Sequence, residues 1–229
     1  MIILVFVLLA CVVPGFAGNI TVINASFEIP TGLVACGSTF VTACAYSSMT
    51  PAGWSSNSPA NSGFAGTFQP GSDPSAAFTT LAGSPSVAFI NGPGNGPGSG
   101  NSIANGSLTQ VVGVTLANLT YILTVDLGWR NDNANFVSEV DLIIGSTPFK
   151  AIGNTPAKGK FSTFTATFTA ATSGQQIMIQ LLNTGVVGLP GQAVFDNVNL
   201  NSIPEPGTIA MTAIGMGMLA FHFRRRRFV

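Results

Sequence analysis

Apolar and polar residues alternate with a period of two through most of the second half of the chain. Between Tyr121 and Arg130, for example, Leu123 and Val125 are separated by Thr124 and followed by Asp126. The alternating segments are residues 121–130, 139–144, 163–169, 176–181 and 194–200. Successive side chains of a strand point to opposite faces of a sheet, so each segment has one face for a core and one more polar face, as in antiparallel packing. The pattern predicts an all-β, antiparallel β-sandwich.

Residues 55–106 depart from this pattern, because they are rich in Ser, Gly, Pro and Asn. Gly and Pro are densest at residues 91–100, which predicts a loop rather than a strand or a helix. A glycine-rich phosphate-binding loop is the alternative. No Lys-Ser or Lys-Thr pair follows these glycines, however, and no strand–loop–helix pattern surrounds them.

The N-terminus has the pattern of a secretory leader. Residues 2–13 are almost entirely apolar, and small residues precede a polar start at Asn19. Ala17 and Gly15 fit the small-residue rule for cleavage, so residues 1–17 are predicted to be a signal peptide. The alternative is a lipoprotein leader ending at Cys11, since residues 8–11 loosely match a lipobox.

The C-terminus carries a second apolar run, residues 208–223, which predicts a hydrophobic helix. Its 16 residues are few for a membrane span, which usually needs about 20. Four basic residues follow it and favour a cytoplasmic end for the segment: Arg224, Arg225, Arg226 and Arg227. The pattern is that of a stop-transfer segment with residues 18–202 outside the membrane.

Pro204, Glu205 and Pro206 stand directly before this run. Together, the three residues, the apolar helix and the arginines resemble the PEP-CTERM sorting signal, which places the tail at residues 203–229. The resemblance implies export by secretion machinery, an inner-membrane intermediate, and processing by an exosortase. It also implies a Gram-negative bacterium with the protein at its cell surface or in the extracellular matrix of a biofilm. An ordinary C-terminal anchor is the alternative, and it does not explain the Pro-Glu-Pro.

Charged residues make up only 7% of the chain, against roughly 25% in ordinary soluble domains. Residues 18–203 hold four basic and seven acidic residues, a net charge of −3. Without a basic patch, the sequence predicts no nucleic-acid partner.

Histidine and cysteine limit the chemistry further. The single histidine, His222, lies in the tail, which excludes a histidine-based catalytic triad and a histidine metal site in the body. Cys36 and Cys44 are predicted to form a disulfide in an exported protein, with two separate thiols as the alternative.

Three short segments resemble jelly-roll carbohydrate-binding modules and galactose-binding-like domains. They are residues 22–28 for the opening strand, 51–54 for the Pro-Gly-Trp turn and 195–200 for the closing strand. This likeness implies a jelly roll and a structural calcium ion held by Glu28 and Asp196. By alternation, Asp196 shares an inward face with Val194, Val198 and Leu200, where an uncompensated carboxylate is costly. The alternative is that Asp196 caps backbone amides or pairs with a lysine.

A polar and aromatic group follows the first long alternating segment. Trp129, Arg130 and Asp132 have the residue types that contact sugars, although Trp129 falls on the apolar face of its strand, where it would pack in the core. Two carboxylates across a cleft would suffice for a glycosidase. No motif selects two from the four carboxylates of this region, which are Asp126, Asp132, Glu139 and Asp141.

These patterns together predict a non-catalytic, exported surface or matrix protein that binds extracellular polysaccharide. The sequence leaves two alternatives open, a carboxylate-dependent enzyme acting on glycans and a purely structural matrix protein.

Overall fold

The computed structural model describes residues 17–35, 44–57, 65–70, 78, 85–92, 106–186 and 191–205. The predicted leader up to residue 16, Cys36, most of the Gly/Pro-rich loop and the tail from Pro206 onward lie outside the described residues. No helix long and apolar enough to cross a membrane occurs in the described part.

The described residues form β-strands and no helix. The first six strands are β1 (Gly18–Ile20), β2 (Val34–Ala35), β3 (Ala45–Ser47), β4 (Ser55–Ser56), β5 (Ala65–Gln69) and β6 (Val87–Asn91). The others are β7 (Ser107–Val114), β8 (Leu119–Trp129), β9 (Ser138–Ile144), β10 (Thr147–Lys150), β11 (Lys160–Thr169), β12 (Gln176–Asn183) and β13 (Gln192–Pro204). The alternating segments of the sequence therefore correspond to β8, β9, β11, β12 and β13.

The strands form two sheets. Sheet A has the order β11-β8-β13-β6-β5-β3-β2, with β1 also paired to β13, and sheet B has the order β10-β9-β12-β7-β4. Neighbouring strands in both sheets are antiparallel. This confirms the predicted β-sandwich.

The main core lies between the two sheets and is built by the period-two alternation. Leu123 and Leu127 of β8 face Leu142 of β9 and Ile179 of β12 within one buried cluster. All four side chains are fully buried. Because burying apolar surface is the main favourable term in folding, this shared core fixes which face of each sheet points inward.

A β-bulge interrupts the alternation in β13. Phe195 pairs with Leu127 and Leu200 with Leu123, but the register shifts between Asp196 and Asn199, where Asn197 has a φ of 49°. A bulge adds one residue to a strand and so reverses the facing of the residues beyond it. Val198 and Leu200 therefore point into the core, whereas Asp196 lies on the outer face with Val194. The prediction that these four residues share one inward face is wrong.

A second, smaller apolar cluster covers part of the outer face of sheet A. Its buried members are Cys44, Phe68, Phe78, Val87, Phe89 and Val194, and Tyr46 and Phe161 pack against them. Cys44 is disulfide-bonded; its predicted partner, Cys36, lies outside the described residues. This cluster gives sheet A apolar contacts on both of its faces.

Candidate functional site

Three rows of side chains cross the outer face of sheet A beside this second cluster. The polar row contains Arg130, Gln192 and Asn91. The aromatic row contains Phe161, Gly128, Val194 and Phe89. The carboxylate row contains Thr163, Asp126 and Asp196. The rows follow from strand register, because residues two apart on β8 or β13 share a face and lie about 6.6 Å apart. The aromatic row, in which Val194 and Phe89 are buried and Phe161 is partly exposed, thus lies between a guanidinium group and two carboxylates.

The polar row is joined by side-chain hydrogen bonds. Arg130 Nη1 donates to Gln192 Oε1 (2.6 Å), and Gln192 Nε2 donates to Asn91 Oδ1 (2.6 Å). Asn133 Nδ2 also donates to the Gln192 backbone carbonyl (3.1 Å). These bonds connect the ends of β6, β8 and β13 and fix the position of the guanidinium group.

Asp132 holds Arg130 from the other side. Arg130 Nε donates to Asp132 Oδ1 (2.8 Å) and Nη2 to Asp132 Oδ2 (2.6 Å), a bidentate ion pair. Burial by itself raises the pKa of Asp132, but the hydrogen bonds and positive charge of Arg130 outweigh it and hold the pKa below the ordinary aspartate value. Asp132 is therefore ionised at neutral pH and serves to orient Arg130.

The aromatic row depends on Gly128. A Cβ atom at this position would lie 2.6 Å from the Phe161 ring and 2.9 Å from the Phe78 ring, so both rings rest directly on the backbone. The Phe78 and Phe161 centroids are 4.7 Å apart. At the border of the row, the Arg130 guanidinium lies 5.0 Å from the centroid of Phe68. Aromatic rings beside a cation suit an apolar ligand with a polar substituent.

The carboxylate row brings two aspartates together on neighbouring strands. Asp126 and Asp196 are register partners, and Asp196 is fully buried, whereas Asp126 is partly exposed. Asp126 accepts hydrogen bonds from the Thr163 hydroxyl (2.5 Å) and from Asn197 Nδ2 (3.0 Å). Asp196 Oδ1 accepts from the Asn197 backbone N–H (2.8 Å). Like charges directly opposite each other are destabilising.

Trp129 lies on the inner side of β8, away from Arg130, because consecutive strand residues face opposite ways. Its indole Nε1 donates to the Asn133 carbonyl (3.2 Å), and its ring centroid is 6.1 Å from that of Phe136. Lys158 Nζ lies 5.6 Å from the same ring. The structure therefore does not place Trp129 in one row with Arg130 and Asp132, and a glycan contact by these three residues stays a prediction.

Glu139 and Asp141 lie on the outer face of sheet B, far from the three rows in strand order. Glu139 forms an ion pair with Lys150. Burial, and next the charge of Glu139, raise the pKa of Asp141, and Lys150 offsets only part of this. The four carboxylates considered from sequence thus divide between two sheets.

The predicted calcium ligands are both engaged by backbone N–H groups. Glu28 Oε1 accepts from Ser86 (2.8 Å), and Asp196 Oδ1 accepts from Asn197. The described residues contain no group of three or more His, Cys, Asp or Glu side chains suited to a metal ion. Calcium at Glu28 and Asp196 stays a prediction.

Sequence reasoning missed the pairing of Asp126 with Asp196 and the parts played by Gln192 and Asn91. Alternation placed Asp126 on the polar face of its strand. Strand order and the bulge, which bring Asp196 opposite it, have no readable signal in a single sequence.

Comparisons with known proteins identify both parts of the chain. A family model described as HpiC1 cyclase matches residues 18–201, and the PEP-CTERM protein-sorting motif matches residues 202–227. The second match confirms the resemblance of the tail. The protein is exported, passes through a membrane-anchored intermediate to the cell surface and carries a signal for exosortase processing.

Solved structures agree with the first match. A cyclase from Fischerella sp. TAU, in complex with 4-(1H-indol-3-yl)butan-2-one, is 25% identical with a TM-score of 0.63, over 82% of this chain and 99% of that one. The CBM22-1 xylan-binding domain of a Paenibacillus barcinonensis protein is 8% identical with a TM-score of 0.42, over 68% and 88%, too distant to indicate function. No curated protein matches the sequence.

The prediction that the protein is not an enzyme is contradicted by these findings. The family model and the Fischerella cyclase both point to a catalytic domain. The prediction rested on the missing histidine, the scarcity of charge and the lack of a cleft signal, but a proton can be moved by a carboxylate alone.

Proposed function

The chain belongs to the HpiC1-like cyclase family, and we propose that residues 18–201 are an exported cyclase that closes a ring in an apolar aromatic substrate. The observation that supports this site is the Asp126–Asp196 pair beside the aromatic row. This arrangement puts a carboxyl group next to the partly exposed ring of Phe161. The partly exposed Arg130 of the polar row supplies an anchor for one polar substituent.

Asp126 is the proton-transferring residue in this proposal, since it is the partly exposed member of the pair. Its carboxyl group gives a proton to an alkene carbon or to a carbonyl oxygen of the substrate, and the cation that results is attacked by electrons of the aromatic ring, forming the new bond. Loss of a proton from that ring back to the carboxylate restores both the aromatic system and Asp126. Atoms balance within one molecule, so substrate and product are isomers.

The neighbouring side chains position and protect this chemistry. Thr163 and Asn197 fix both oxygens of Asp126. Phenylalanine faces attract a developing positive charge through their ring quadrupoles. Arg130, oriented by Asp132 and Gln192, binds a substrate oxygen.

The indole compound bound by the Fischerella cyclase suggests the substrate class, an indole with an unsaturated or carbonyl-bearing side chain. We expect the full chain, in detergent, to bind 4-(1H-indol-3-yl)butan-2-one in isothermal titration calorimetry. Phe161→Ala should weaken this binding, because Phe161 is the partly exposed ring of the aromatic row. Asp126→Asn should leave it within about twofold, since the amide keeps the shape of the carboxyl group.

Catalysis is tested with a panel of indoles bearing unsaturated side chains, by chromatography with mass detection. Wild-type protein should convert a member of the panel to a product of equal mass and new retention time, and Asp126→Asn should abolish conversion. Asp141→Asn, on the opposite sheet, is the matched control and should keep full activity. Equal conversion by Asp126→Asn and wild type would refute the assigned site.

A second candidate function is polysaccharide binding by the remainder of the sheet A outer face. Beyond the carboxylate row, this face is uncharged and carries mostly hydroxyl and amide groups. The register rows are Thr165, Thr124 and Asn199; Thr167, Ile122, Asn201 and Asn19; and Thr169, Thr120 and Ile203. Such an array matches the hydroxyl groups of a glycan chain. The test is binding to a glycan array. The double variant Thr165→Val/Thr167→Val should lose binding, and Thr147→Val on sheet B should keep it. Absence of binding by the wild-type protein would reject this second function.

A further inference from the structure

The chain leaves the sandwich for the membrane tail at one end, which we call the exit end: residues 114–118, 145–146, 170–175 and 203–205. The Glu205 N–H donates to the Asn118 carbonyl (3.1 Å), so the sorting motif begins on the folded body. Ala117 N–H donates to the Ser173 hydroxyl (2.8 Å). The Gly145 N–H donates to the Gln176 carbonyl (2.8 Å), which brings the β9–β10 turn to the same end.

The N-terminus meets the body at the exit end as well. Gly18 of β1 is the register partner of Ser202 of β13, and the Ser202 hydroxyl donates to the Gly18 carbonyl (3.3 Å). β1 is antiparallel to β13, so residues before Gly18 continue in the direction that β13 takes towards Glu205. Both apolar segments of the sequence therefore connect to the body at this end.

The exit end carries little charge. Among the described residues of its strands and turns, 111–125, 142–148, 161–186 and 197–205, Glu205 is the only Asp, Glu, Lys or Arg. Three large apolar side chains are exposed at residues 114–118 and 203–205: Val114 (58%), Leu116 (54%) and Ile203 (43%). Arg130, Asp132 and Lys158 lie at the opposite end, where β8 finishes. Charged groups resist transfer out of water and apolar groups favour it, so the two ends differ in their suitability for a lipid surface.

The connection to the tail is too short to hold the body away from the bilayer. Pro206 and Gly207 alone separate Glu205 from the apolar run that begins at Thr208. Three residue steps span at most about 11 Å. A helix over the 16 residues 208–223 would be about 24 Å long, shorter than the hydrocarbon core of about 30 Å, so insertion draws the exit end towards the headgroups.

We propose that the exit end is a membrane-contact surface. In the tail-anchored protein it lies against the lipid headgroups, with Leu116 and Val114 in the interface between headgroups and acyl chains. The candidate site, near the opposite end of sheet A, faces away from the membrane. This orientation rests on the sorting tail and the strand ends, and it does not depend on the proposed cyclase activity.

The test places one fluorophore on the full chain, with Cys11→Ser removing the leader thiol. Leu116→Cys carries the label at the exit end, and Ile152→Cys is the matched control, an apolar side chain that is 80% exposed on the edge of sheet A. Labelling is done without reductant, so that the disulfide of Cys44 stays closed. The labelled chains are reconstituted into phosphatidylcholine–phosphatidylglycerol vesicles with and without a nitroxide-headgroup lipid.

We expect the label at position 116 to shift to shorter wavelength and to be strongly quenched by the nitroxide lipid, with little change at position 152. Equal quenching at both positions would overturn the proposed orientation. Absence of quenching at position 116 in protein that co-floats with the vesicles would also overturn it, and would direct attention to a protein partner, such as the sorting enzyme, at this surface.

Discussion

Ionised Asp132, which orients Arg130 in the candidate site, also contributes to the free energy of unfolding. Arg130 holds its pKa below the ordinary value in the folded protein. A lowered carboxyl pKa stabilises the fold above the unfolded-state pKa, and that contribution is lost as the pH falls through the folded-state pKa. We expect Asp132→Asn to lower the free energy of unfolding at pH 7 by a few tenths to about 1 kcal/mol, as for exposed ion pairs. Urea unfolding should show no difference from wild type once the pH is below both pKa values; the same loss at both pH values would contradict the electrostatic cause.

Asp141 should behave in the opposite way, because burial and Glu139 raise its pKa in the folded protein. A raised carboxyl pKa disfavours folding as the pH rises from the unfolded-state to the folded-state value, and the cost persists above both. Asp141→Asn is therefore expected to increase the free energy of unfolding at pH 7 and to change nothing at a pH below both values. A decrease at pH 7 in urea unfolding would show that the carboxylate has a stabilising partner on sheet B.

Among the elements, β3 and β5 depend on one glycine for their pairing. A Cβ atom on Gly66 would lie 1.8 Å from the Ser47 carbonyl oxygen and 3.0 Å from the Phe89 ring. Since backbone cannot move aside as a flexible side chain does, Gly66→Ala should destabilise the protein by about 1–3 kcal/mol, the range for overpacked cores. Gly18→Ala, whose Cβ would meet nothing within 4 Å, is the control and should be nearly neutral. Equal melting temperatures for the two variants would contradict the close approach.

The strands were predictable from sequence where one face is apolar and the other polar. β8, with Leu123 and Val125 inside and Thr124 and Asp126 outside, is the clearest case, because its register in the core follows its pattern directly. β13 was predicted as a strand, but the bulge at Asn197 changed which of its side chains face inward. The short strands β2 and β4 have two residues each, too few for any period to be visible.

At the scale of the whole molecule, export and sorting were predictable because they depend on contiguous segments, such as residues 204–206 with the arginines that follow. The proposed catalytic pair was not, because Asp126 and Asp196 are 70 positions apart and meet only through strand order. The absence of body histidine excluded triads but not proton transfer by a carboxylate. The prediction of a non-catalytic protein was therefore wrong, because the proposed active site depends on the tertiary arrangement.

A calcium ion and a shared proton at the paired aspartates can be told apart by melting experiments. The jelly-roll resemblance implies a calcium ion held by Glu28 and Asp196, whose carboxylate oxygens are the kind of ligand that calcium prefers. An ion that binds only the folded state stabilises that state. We expect EDTA to lower the melting temperature of the full chain, and excess calcium, but not magnesium, to restore it.

Asp196→Asn should melt at the same temperature in EDTA and in calcium, and Glu28→Gln should lose most of the difference. Asp126→Asn, which removes the opposing carboxylate but no predicted ligand, should keep the response to calcium. The calcium prediction is wrong if EDTA leaves the wild-type melting temperature unchanged and mild acidification raises it. That result would mean that Asp126 and Asp196 share a proton. The two residues would then act as one proton-transferring unit, rather than as a metal site beside a single acid.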